Sequence, residues 1–82
     1  MAPPKRTPHP LAVAVAANVR AYAGIARLNA TDLAAELGTT RQRVTRWMNG
    51  DVAIDVDDLG RLADALGVDP VALLAPSPGR NE

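Results

Sequence analysis

The sequence predicts an all-α protein, on three observations. Apolar residues recur at three- and four-residue spacings, the stretches that carry them are punctuated by helix-capping residues, and no segment alternates apolar and polar residues as a half-buried strand does. The chain has 82 residues, 48% of them hydrophobic, which suits one small domain with Leu, Val and Ala as its core. A chain of that size buries only marginally enough surface to fold. There is no Phe and a single Trp, so stability should lean heavily on Trp47.

The first helix is expected from about Leu11 to Arg27, where Val15, Val19 and Tyr22 follow i, i+4, i+7 and alanine is abundant. Ahead of it, residues 1–10 hold Pro3, Pro4, Pro8 and Pro10 and read as a flexible arm. A second helix starts at Asn29, a suitable N-cap, and places Leu33, Ala34 and Leu37 on one stripe before Gly38 stops it. A third runs from the N-cap Thr40 to Gly50. At about 100° per residue, its Val44 and Trp47 point one way and Gln42, Thr45, Arg46 and Asn49 the other, with Arg41 and Arg43 on the flanks. Because Trp47 shares a face with Val44, it is expected to pack in the core rather than stack on a ligand.

In the fourth helix, Asp55 to Gly67, Val56, Leu59, Leu62, Ala63 and Leu66 form the apolar face, acids fill the first turn, and Gly67 ends it. Asp69-Pro70 then supplies a cap and an N1 proline for a fifth, very short helix over Val71–Ala75, closed by Pro76 and Pro78. Residues 76–82 read as a disordered tail.

The third helix carries the chemistry. Arg can hold guanine O6 and N7 with two hydrogen bonds, and Gln can hold adenine N6 and N7, each pair discriminating by about 1–3 kcal/mol. On those residues alone, a recognition helix and a solvated basic face are equally good descriptions. The upstream helix decides between them, because Gly38-Thr39-Thr40 is a connection of the length and composition that joins the two helices of a helix-turn-helix.

The segment LNATDLAAELGTTRQRVTRWMNG resembles the lambda-repressor-like family, the Cro/repressor or XRE group, and the likeness covers about residues 13–75. The resemblance implies a compact five-helix bundle with a helix-turn-helix over residues 11–75. It also implies a sequence-specific double-stranded DNA-binding transcriptional regulator, a small phage- or bacterial-type repressor that reads the major groove with Thr40–Asn49. Base readout then falls to Arg41, Gln42, Thr45 and Arg46, and phosphate contact to Asn29, Thr40, Arg43 and Asn49.

Three departures stand out. Arg27 occupies a position before the second helix where the family commonly has Gly; Ala30 stands where it often has Gln; and the loop after the recognition helix, often basic, is Asp51-Val52-Ala53. The last two remove backbone contacts and predict a modest affinity, for which a dimer or the arm residues Lys5, Arg6 and His9 would compensate.

The net charge is zero, but it is polarised along the chain. Residues 1–50 carry Lys5, Arg6, Arg20, Arg27, Arg41, Arg43 and Arg46 against Asp32 and Glu36; residues 51–82 carry Arg61 and Arg80 against six Asp and Glu82. A positive half would face phosphate while the acidic half is held away.

An enzyme is not expected: the one His lies in the arm, the one Ser is Ser77, and there is no Cys to act as nucleophile or thiolate ligand. Asp55, Asp57 and Gly60 match positions 1, 3 and 6 of a calcium loop, but Leu59 and Leu66 stand at positions 5 and 12, so no metal or other cofactor is expected. The apolar run Leu11–Ala17 behind Lys5 and Arg6 has the outline of a secretory signal, yet it is short, broken by Asn18 and Arg20, and needed for the bundle. The expected setting is the cytoplasm, with no membrane association.

The expected partner is a double-stranded DNA operator. A weak homodimer through the C-terminal helix, using the exposed members of Val71, Leu73 and Leu74, and a monomer are equally compatible with the sequence. Without a sensor domain, no small-molecule effector is expected. The alternative reading is a helical protein-interaction module, such as an antitoxin-like or adaptor domain.

Overall fold

The computed structural model describes residues 7–75, so the expectations for Lys5 and Arg6 and for the tail from Pro76 to Glu82 lie outside the described residues. Four α-helices and one 3-10 turn make up the domain: α1 (Pro10–Ala26), α2 (Ala30–Leu37), α3 (Arg41–Asn49), α4 (Val56–Leu66) and the turn Pro70–Leu73. The chain bends by 98° between α1 and α2. No strand occurs among the described residues, and no single helix there is long and apolar enough to cross a membrane.

Each element starts on a side chain that satisfies a first-turn N–H group. Asn29 and Asp32 cap α2 reciprocally: Asn29 Oδ1 accepts from the Asp32 N–H at 2.8 Å, and Asp32 Oδ2 accepts from the Asn29 N–H at 3.0 Å. The caps of α3 and α4 are Thr40, which accepts from the Arg43 N–H at 3.2 Å, and Asp55, which accepts from the Asp58 N–H at 2.7 Å. Helix α1 begins one residue earlier than its periodicity predicts. Pro10 is its first residue, where a missing N–H costs nothing, and His9 is the cap, its Nδ1 accepting from the Leu11 N–H at 3.0 Å.

The four α-helices end in one geometry. A residue in the left-handed region turns the chain, and the next N–H returns to a carbonyl of the last turn: Leu28 to Ala23, Thr39 to Ala34, Asp51 to Arg46 and Val68 to Ala63, all at 2.9–3.0 Å. Glycine occupies the turning position after α2, α3 and α4, whereas after α1 it is Arg27, at φ 58°. The first connection therefore keeps the shape a glycine would give it, on a residue that strains to adopt it.

The expected fifth α-helix is a 3-10 turn, which corrects the five-helix count to four α-helices and one 3-10 turn. Its segment is too short to profit from i→i−4 bonds and closes with tighter ones instead, Ala72 N–H to Asp69 O at 2.8 Å and Leu74 N–H to Val71 O at 3.0 Å.

The core gathers Val15, Val19 and Ala23 from α1, Leu33 and Ala34 from α2, Val44 and Trp47 from α3, Leu62, Ala63 and Leu66 from α4, and Leu73 from the turn. Val56 is not part of it. At 84% exposure it lies on a side of α4's first turn that no other element covers, so the apolar face of α4 is shorter than the sequence predicts.

Asn18, met in the sequence only as an interruption of an apolar run, is fully buried. Its Nδ2 donates to the carbonyls of Leu73 at 2.8 Å and Ala75 at 2.6 Å, which ties the end of the domain to α1.

Candidate nucleic-acid interface

Helices α2 and α3 pack on one another across the short connection 38–40, and α1 and α4 support them from behind. Gly38, at φ 68°, reverses the chain, Thr40 starts α3, and the burial of Val44 and Trp47 fixes the rotation of α3 about its axis. With that face buried, Arg41, Gln42, Arg43, Thr45, Arg46 and Asn49 are all exposed. Five of them form two rows at four-residue spacing, Arg41 with Thr45 and Asn49, and Gln42 with Arg46. From Arg41 to Arg46 the helix rises about 7.5 Å at about 1.5 Å per residue. That matches roughly two base-pair steps of 3.4 Å.

The residues that the sequence predicts as phosphate contacts differ in their surroundings. Asn29 spends its side-chain oxygen on the α2 cap, which leaves its amide hydrogens free to donate, and Thr40 Oγ1 accepts from the Arg43 N–H while its hydroxyl hydrogen remains a donor. Both sit at helix N-termini, where peptide dipoles favour an anion. Asn49 lies at the far end of α3, exposed.

Arg43 is drawn the other way. Its Nη2 donates to Asp58 Oδ2 of α4 at 3.2 Å, and its guanidinium lies over the Trp47 ring, 5.1 Å from the centroid. A phosphate contact by Arg43 has to compete with that carboxylate.

Three contributors escape a reading of the sequence. Arg20 of α1 donates through Nη1 to the Met48 carbonyl, placing a cation at the negative end of α3. The two are 28 residues apart, and no local pattern signals the contact. Asp58, read as one more first-turn acid, is the counter-ion of Arg43. Val52, in a loop expected only to withhold contacts, forms one wall of a shallow cleft of about 370 Å³ with Thr40, Gln42, Arg43 and Arg46.

The charge separation has a structural use on both sides. Among the described residues, Arg20, Arg27, Arg41, Arg43 and Arg46 belong to α1–α3 and their connections. Four of the six described aspartates beyond them work locally: Asp55 and Asp69 cap, Asp57 pairs with Arg61 at 3.2 Å, and Asp58 holds Arg43.

A family model described as helix-turn-helix matches residues 26–73, more than half of the chain. Among solved structures, the chain is similar to a hypothetical transcription factor from Neisseria, at a TM-score of 0.77 and 27% identity over 89% of this chain and 86% of that one. It is also similar to part of hydroxypropylphosphonic acid epoxidase from S. wedmorenis, at a TM-score of 0.73 and 28% identity over 80% of this chain. There the match covers 35% of the enzyme, so this chain spans about a third of its length. No curated protein sequence matches the chain.

Proposed function

The chain belongs to the lambda-repressor-like helix-turn-helix family, and on that premise we propose that it is a sequence-specific, double-stranded DNA-binding transcriptional regulator of the small repressor type. Helix α3 enters the major groove. Arg41, Gln42, Thr45 and Arg46 read base edges, and Asn29, Thr40 and Asn49 donate to phosphates on either side, with Arg43 joining them when it leaves Asp58.

The observation that carries this reading is the division of α3. Val44 and Trp47 are buried while every potential base-reading side chain on the helix is exposed, so the face rich in donors is the one turned outward. The hypothetical transcription factor from Neisseria matches along 86% of its length and favours the same use. With Val71 and Leu74 exposed on the C-terminal turn and Leu73 buried beneath them, a weak two-fold dimer through that turn would place half-sites about one helical turn apart. A reader of DNA in a bacterial or phage-infected cell works in the cytoplasm.

The test is an anisotropy titration against duplexes enriched from a random library. Arg41→Ala and Arg46→Ala should each change which bases are preferred, at a cost of about 1–3 kcal/mol for a bidentate contact. Asn49→Ala should weaken all sequences alike. Unchanged preference in both arginine variants would remove α3 as the reading element. The likeness to a third of an epoxidase favours a second use, an assembly or interaction module; binding to no enriched duplex, together with a stable complex with a protein partner, would select it.

A further inference from the structure

The segment 51–53 lacks basic residues and is exposed, yet its first residue is tied to α3. Gly50, at φ 77°, stops the helix, and the Asp51 N–H returns to the Arg46 carbonyl at 3.0 Å, which fixes the direction in which the chain leaves. Val52 follows at once, 44% exposed, as a wall of the cleft whose other walls are Thr40, Gln42, Arg43 and Arg46. Each of those four side chains ends in hydrogen-bond donors. Val52 is the one wholly aliphatic side chain there, next to the two residues, Gln42 and Arg46, placed to read bases. Other exposed aliphatic side chains, such as Ile25, Val56 and Val71, do not line this cleft.

In the major groove the one apolar substituent that a base projects is the C5 methyl of thymine. An aliphatic side chain beside polar ones is complementary to that methyl rather than to the hydrogen-bonding groups of the groove floor. It gains by removing the methyl from water, and it offers no acceptor to the amino group that cytosine would present nearby.

We infer that Val52 is a specificity-determining residue, which takes the C5 methyl of a thymine adjacent to the bases contacted by Gln42 and Arg46. The inference rests on the DNA-reading function proposed above and adds to it a residue outside α3. The loop thus contributes sequence preference in place of phosphate attraction.

The experiment uses the full chain and the duplex it enriches from a random library, with each thymine replaced in turn by deoxyuridine, which removes only the methyl group. Wild-type affinity should fall about fourfold at one thymine beside the Gln42 and Arg46 contacts, the loss expected for one methyl returned to water. With Val52→Ser, thymine and deoxyuridine at that position should bind within twofold of each other, roughly the resolution of such a cycle. Discrimination at every other thymine should stay as in wild type, and the melting temperature of the variant should show that it folds. The inference is overturned if no thymine beside those contacts is sensitive, or if Val52→Ser keeps the wild-type ratio at the sensitive one. Failure to enrich any duplex would overturn the DNA-reading function itself, and this inference with it.

Discussion

Replacing Arg27 by glycine should make the domain more stable. Arg27 ends α1 with φ 58° and ψ 40°, and its N–H and that of Leu28 close the helix onto Ala23 and Gly24, so the left-handed conformation is demanded by the connection to α2. For an L-residue that conformation costs about 1–2 kcal/mol, because Cβ crowds the carbonyl. Glycine removes that cost but brings a freer unfolded chain, which returns about 0.4–1 kcal/mol. The Arg27 side chain is exposed, so little packing is lost. The net expectation is a gain of about 0.5–1 kcal/mol, which raises the melting temperature by about 2–8 °C in a domain of this size. Thermal unfolding followed by circular dichroism measures it, with Arg27→Ala as the control that removes the side chain but keeps Cβ. If Arg27→Gly melts no higher than Arg27→Ala, left-handed strain at residue 27 is refuted.

Three further outcomes follow from the packing. Asn18→Ala should cost about 2–3 kcal/mol, since it leaves two carbonyls of the C-terminal turn without their buried donor; faster amide exchange confined to residues 72–75 would identify that tie as the cause. Trp47→Ala should remove about 3–5 kcal/mol, enough to unfold a domain this small in a urea titration, while Trp47→Phe should leave it folded. Asp58→Asn should lower stability by about 1 kcal/mol, as a partly exposed ion pair and a first-turn charge are lost together. By freeing Arg43, the same change should raise DNA affinity about 1.5- to 5-fold and steepen the salt dependence by up to about 0.9 in log–log slope; an unchanged slope would mean that Arg43 touches no phosphate.

The opposed roles of Asp58 and Arg43 bear on how a protein with no net charge would bind a polyanion. The acids of the C-terminal half are mostly committed to caps and pairs within the bundle, so little of their charge is aimed past α3. Of these pairs, that of Asp58 reaches into the basic surface and takes one arginine from it, and Asp51 adds an exposed acid directly after α3. Phosphate attraction is accordingly limited, and sequence reading by α3 and Val52 would carry a larger share of the binding.

The sequence determined what depends on near neighbours in the chain. Asn29, Thr40 and Asp69 cap the elements they precede, Gly38, Gly50 and Gly67 end them, and the periodicity of Val44 and Trp47 assigns the two faces of α3. These are hydrogen bonds and helical registers spanning at most five residues, so local spacing is sufficient to read them. Even the departure at Arg27 was visible as a residue out of place, although its consequence, a left-handed non-glycine residue, required the backbone. Only the tertiary structure decided the rest: the Asn18 tie across 55 and 57 residues, the Arg20 contact across 28, the capture of Arg43 by Asp58 across 15, the exposure of Val56 and the cleft beside Val52. Burial and ion pairing are set by which helices meet and at what angle, and a one-dimensional pattern specifies the face a helix offers without specifying what it meets.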